Sequence, residues 1–132
     1  MKISADTNVL IRAVVRDDAK QARAADKALQ DATLIAVSLP CLCEFVWVLR
    51  RVYGFDTSAI ARAIRALSGT EKVAMNRPAV EAGLAVLAAG GDFADGVMAY
   101  EGAWLGGETF VSFDRQAVAL LTKQGAAARL LS

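Results

Sequence analysis

The sequence predicts an α/β domain of three layers, α/β/α, built on a mostly parallel sheet of four to five strands. Two observations point to it. Short apolar runs alternate with longer amphipathic ones along the whole chain, and strands separated by helices require crossovers and so parallel pairing, with right-handed connections. The hydrophobic fraction is 55% in 132 residues, which suits strands covered on both faces, or a surface that meets a partner. The length fits one domain over 1–132, large enough to bury roughly two-thirds of the surface its unfolded chain exposes.

The elements follow in order. Lys2 to Ala5 reads as a strand, Thr7 to Val15 as a helix, and Ala19 to Asp31 as a second helix. Thr33 to Val37 is a β-branched strand. Pro40 suits the first turn of the next helix, where its missing N–H is an orphan anyway. That helix runs to about Tyr53, with Gly54 as its stop. Thr57 to Leu67 is helical and closed by Gly69, and Lys72 to Met75 is a short strand. Arg77 to Ala89 is a helix ending at Gly90-Gly91. Asp92 to Leu105 is another, ending at Gly106-Gly107. Thr109 to Ser112 is a strand, Arg115 to Lys123 a helix, and Ala128 to Leu131 a last strand. The alanine-rich stretches are ordinary helix formers, and no repeat or low-complexity segment interrupts the pattern.

Composition removes several function classes. The net charge is +1, so the chain does not hold nucleic acid by bulk charge, and a phosphate ligand needs local arginines or a bound metal. There is no histidine, which removes Ser-His-Asp and Cys-His catalysis and most zinc, copper and non-haem iron sites. Cys41 and Cys43 lie two apart, a poor spacing for a disulfide and half a zinc site at most, and read as small core thiols. The most apolar stretch, Leu34 to Leu49, is broken by Ser38, Pro40 and Glu44, whereas a membrane span needs about 20 mostly apolar residues. Asp6 stands where a signal peptide would carry its apolar core, so the expected location is cytoplasmic.

Chemistry must then come from the acids. Asp17, Asp18, Asp26, Asp31, Asp56, Glu71, Glu81 and Glu108 lie in polar stretches and read as solvated or turn residues. Four others have apolar neighbours. Asp6 follows the first strand and precedes Val9-Leu10-Ile11. Glu44 lies within Leu42-Cys43-Glu44-Phe45-Val46-Trp47-Val48-Leu49. Asp95 is in the first turn of its helix, and Asp114 follows Phe110-Val111-Ser112. Open parallel sheets bind ligands outside the carboxyl ends of their strands, so all four are expected on one rim. Asp6, Asp92 and Asp114 each also read as helix N-caps, worth about 1 kcal/mol. Asp92 is assigned mainly as the cap of Asp95's helix, with a metal-site role left open. Glu44 has no Lys or Arg at i±3 or i±4. A buried, unpaired carboxylate is costly, so a compensating cation is expected. Acids gathered without histidine suit Mg²⁺ or Mn²⁺, which take oxygen ligands and keep several waters. Such a site activates water and clamps a phosphodiester, with one metal or with two about 4 Å apart.

These residues resemble the PIN domain family, and within it the VapC-type toxins of bacterial toxin–antitoxin pairs. Asp6-Thr7-Asn8-Val9-Leu10 is similar to the family's opening motif, and Cys43 to Leu49 to its second. Asp92-Phe93-Ala94-Asp95-Gly96-Val97-Met98-Ala99 resembles the third, and Ser112-Phe113-Asp114-Arg115-Gln116-Ala117 the fourth. The resemblance implies a Mg²⁺- or Mn²⁺-dependent endoribonuclease with Asp6, Glu44, Asp95 and Asp114 as its acids. It implies Asp6, Asp95 and Asp114 as metal ligands, with Glu44 acting directly or through water. Thr7, Asn8 and Ser112 are implied as supporting polar groups. It also implies an RNA substrate, a cognate antitoxin and a homodimer. Ser112 stands where the family often has Thr, a small change since the hydroxyl is kept. Gly96 replaces an expected small apolar residue and is expected to loosen its helix.

For RNA contact, Arg12 and Arg16 share one helix face, and Arg50 and Arg51 end the helix of Glu44; each pair reads equally as solvated surface or as dipole partners. The apolar helix Leu42 to Leu49 reads either as deep core or as a partner-covered face, and Trp47 and Trp104 share that ambiguity. Two other readings compete. A phosphatase or phosphoacceptor domain also places an aspartate after its first strand. A haloacid-dehalogenase-type site wants a second Asp where Asn8 stands, however, and a receiver-like domain wants an acid pair and a late Lys that are absent. A non-catalytic binding module of the same fold is the other reading, though four acids do nothing for RNA binding.

Overall fold

In the computed structural model, which describes residues 1–132, each element lies within two residues of its expected bounds. The chain divides into two compact units, Met1–Asn76 and Arg77–Ser132. All strand pairs are parallel, and the five strands distribute as a three-stranded and a two-stranded sheet. Alternation of strands and helices dictates parallel pairing but not which strands are neighbours; strands of two or three residues contribute few ladder bonds, so helix packing decides that.

The first unit contains β1 (Lys2–Ser4), α1 (Thr7–Val15), α2 (Ala19–Asp31), β2 (Leu34–Ala36), α3 (Leu39–Arg51), α4 (Thr57–Ser68) and β3 (Val73–Ala74). The sheet order is β1-β2-β3, with Ile3 opposite Ile35 and Ile35 opposite Val73. Leu10 and Ile11 of α1, Leu42, Phe45 and Leu49 of α3, and Ile60 and Ile64 of α4 are fully buried. Side-chain caps start three of its helices. Asp18 accepts from the Gln21 N–H, Ser38 from Cys41, and Asp56 from Ala59, each bond satisfying one orphan donor of a first turn. Only one stripe of α3 is core. Trp47 is 57% exposed and Glu44 is exposed as well. The helix is therefore apolar in composition but amphipathic in placement.

The second unit contains α5 (Arg77–Ala88), α6 (Phe93–Trp104), β4 (Phe110–Ser112), α7 (Arg115–Lys123) and β5 (Ala128–Leu130). β4 and β5 pair parallel, with Val111 opposite Arg129. The helices α5 and α6 pack through glycine. A Cβ on Gly96 would collide with the Ala82 carbonyl and sit 2.8 Å from the Gly83 Cα, while one on Gly83 would lie 2.6 Å from the Phe93 ring. Gly96 thus does not loosen its helix, as expected from propensity alone. It permits the close backbone approach that lets α6 bury Phe93 and Val97. Trp104 is 77% exposed. No helix is long and apolar enough to cross a membrane.

Candidate active site

Asp6 follows the carboxyl end of β1, and Ser38 follows that of β2. The two strands are held in register by the Ala5 N–H donating to the Ala36 carbonyl at 3.0 Å. Ser38 opens α3, and Glu44 lies in the second turn of that helix. Helical side chains lean toward the N-terminus, which brings Glu44 back over Pro40 and Cys41. The result is a polar cleft of about 260 Å³ lined by Asp6, Thr7, Ser38, Pro40, Cys41 and Glu44. Asp6 occupies the N-cap position of α1 with extended backbone, yet its side chain accepts no cap bond. Asp6 therefore does not cap through its side chain, and it lines the cleft instead. The ion pairs Arg12–Asp17, Arg16–Asp26 and Lys27–Asp31 involve neither Asp6 nor Glu44. Glu44 departs from expectation in one respect. It is exposed on the cleft rather than buried, because the outward stripe of α3 carries it, so no desolvation penalty calls for a cation there.

Two of the cleft's lining groups are buried, Thr7 at 5% exposed and Cys41 at 7%. Burial pushes the Cys41 thiol up from its ordinary pKa, the Thr7 hydroxyl beside it opposes the shift, and the nearby charges of Asp6 and Glu44 add to it. Cys41 is thus a core thiol, as expected. Asn8 faces elsewhere, into an apolar groove with Val9, Arg12, Gln21, Ala24, Ala25 and Ala28.

In the second unit Asp92 and Asp114 are both working N-caps. Asp92 Oδ1 accepts from the Ala94 N–H at 3.1 Å, and Asp114 Oδ1 accepts from the Ala117 N–H at 3.1 Å. Ser112 Oγ accepts from the Asp114 N–H at 2.9 Å, so the supporting hydroxyl sets the backbone of the acid beside it. Asp95 lies in the first turn of α6, half-buried. Its carboxyl pKa is raised from its ordinary value, first by burial and then by the charges of Asp92 and Asp114. Like charges close enough to shift one another are a standing cost that a cation relieves.

Arg12 and Arg16 are already engaged. Arg12 Nη1 donates to Asp17 at 2.9 Å and to the Tyr53 hydroxyl at 3.4 Å, and that hydroxyl donates to Asp17 at 3.0 Å. Arg16 pairs with Asp26 at 2.8 Å. Arg50 donates to Thr57.

The donor chemistry fits a hard divalent ion, since oxygen acids are present without histidine. No group of three or more Asp, Glu, Cys or His side chains stands ready to ligate a metal. An ion that keeps its waters needs only one or two direct carboxylates, and Asp6 and Glu44 line one cleft of the first unit. The family model for the PIN domain matches residues 3–120. The chain belongs to the PIN domain family. No curated protein and no solved structure matches it. The match runs from β1 into α7, so a nuclease-type fold underlies the acids of this PIN domain.

Proposed function

We propose that this PIN domain is a metal-dependent endoribonuclease that acts as a single domain over 1–132, the toxin of a type II toxin–antitoxin pair. The observation that carries the reading is Asp6: a carboxylate at a helix start that does no capping and faces a polar cleft with Glu44. Asp6, Glu44, Asp95 and Asp114 are the proposed acids. As the family resemblance implies, Asp6, Asp95 and Asp114 would hold Mg²⁺ or Mn²⁺, with Glu44 acting directly or through water. The bound ion would supply an activated water and charge stabilisation at the scissile phosphate. Thr7 would support the Asp6 turn as a buried hydroxyl beside it, and Ser112 orients Asp114 through its backbone N–H. Looped or single-stranded RNA is the substrate class, since splayed bases and accessible backbone suit an open cleft. The antitoxin, the homodimer and a cytoplasmic location belong to the same reading.

The test is cleavage of total cellular RNA by purified, antitoxin-free protein with Mg²⁺, Mn²⁺ or EDTA, beside Asp6→Asn. Discrete fragments that need metal and vanish in the variant are expected. A folded protein that binds RNA equally with and without EDTA and never cleaves would instead be a binding module. Millimolar Mg²⁺ is expected to raise the melting temperature of the wild type by mass action and to do so less for Asp6→Asn.

A further inference from the structure

The outward stripe of α3 continues from the cleft. Pro40, Glu44, Trp47 and Arg51 follow one another at spacings of four, three and four residues, and all four are exposed. Such spacings stack side chains on one helix face. The stripe begins at the Asp6–Glu44 cleft, which Pro40 helps to line. It then presents an indole that is 57% exposed, and it ends one turn further at a guanidinium. Arg50 is tied to Thr57 and Arg12 and Arg16 to carboxylates, whereas Arg51 joins none of these pairs. From Glu44 to Arg51 the helix rises about 10 Å, at about 1.5 Å per residue, a reach comparable to one or two nucleotides of extended strand.

We propose that Trp47 and Arg51 form a subsite for single-stranded RNA, with one base stacked on the Trp47 ring and a neighbouring phosphate held by Arg51. The strand would thereby be led to the cleft at Glu44. The inference rests on the nuclease reading for its catalytic consequence but not for its binding consequence. Aromatic platforms paired with cations are how proteins grip unpaired strands without reading sequence. A second copy of the chain is the other occupant that an exposed tryptophan could accept. The stripe offers little apolar area beyond Trp47 and the neighbouring Val52, 62% exposed, and its other members are a proline and two charges. A stable dimer buries about 800 Å² on each partner.

The protein has two tryptophans, so Trp104→Phe leaves Trp47 as the sole indole reporter. In EDTA, titration of that variant with a single-stranded oligoadenylate of about ten nucleotides should quench the emission saturably, and Arg51→Gln should weaken binding several-fold and flatten its salt dependence. In cleavage assays Trp47→Ala should raise KM about tenfold with little change in kcat, as expected for binding that is uniform along the reaction. Trp47→Phe should largely restore KM. Unchanged melting temperatures would separate these effects from folding. No quenching, or a KM indifferent to Trp47→Ala, overturns the subsite while leaving the nuclease reading intact. An emission change that follows protein concentration without RNA overturns it in favour of a second copy. Loss of cleavage in the wild type with quenching retained defeats the nuclease reading and keeps the subsite.

Discussion

Asp6 and Asp114 hold the same local position in the two units. Each follows a strand, opens a helix and has extended backbone. Asp114 accepts the Ala117 N–H and so belongs to the folding of α7, while Asp6 leaves the first turn of α1 without a side-chain cap. The contrast extends to their surroundings. The acids of the first unit, Asp6 and Glu44, lie exposed on an open cleft. Those of the second crowd one another until burial and charge push the Asp95 carboxyl up. Asp6 makes no cap bond that its replacement would break, whereas replacing Asp114 removes one.

The largest effect that would test the contrast is on activity. Asp6→Asn is expected to cut RNA cleavage by about three orders of magnitude, since charge stabilisation by a bound metal is worth several kcal/mol, without lowering the melting temperature. A variant that unfolds would return Asp6 to a structural role and erase its difference from Asp114. Next in size is Gly96→Ala, which forces a Cβ onto the Ala82 carbonyl. With backbone on the receiving side, the cost should be about 1–3 kcal/mol or more, read as a lower urea midpoint. An unchanged midpoint would mean that α5 and α6 part freely. The cap contrast itself is smaller. Asp114→Ala should lose about 1 kcal/mol of stability and Asp6→Ala none of that kind; equal losses in chemical denaturation would show that both acids cap in solution.

The smallest effect concerns Asp95. Its folded-state pKa is raised, so the folded protein binds this proton more tightly than the unfolded chain does. Stability from this group therefore falls as pH climbs from the ordinary carboxylate range through the raised value. Asp95→Asn in EDTA should flatten that decline and raise the melting temperature slightly at neutral pH. A steeper decline in the variant would reverse the sign and remove the crowding argument.

Local pattern carried much of this. The bounds of α1, α2 and α7 matched to the residue, and in α2 and α7 a side-chain cap fixes the start. Glu44 was legible as an acid without a helical ion-pair partner, but its exposure was not. An apolar neighbourhood in sequence says nothing of which side of α3 faces out, and Leu42, Phe45 and Leu49 took the inward side. The role of Gly96 was misread for a related reason. Helix propensity treats glycine as a weakness, and only the position of α5 reveals it as clearance. Thr7 and Cys41 are far apart in the chain yet line one cleft, and no local signal announces it.

The sequence alone determined the order of strands and helices, their parallel pairing, the absence of histidine chemistry and the candidate acids, because each follows from periodicity, crossover geometry or residue type. The tertiary structure decided which acids cap and which do not, how the strands divide between two sheets, and which arginines are already paired. It also decided that the exposed stripe of α3 runs from Glu44 past Trp47 to Arg51. These depend on contacts between distant residues, whose free energies are set by packing and burial rather than by the preferences of any one segment.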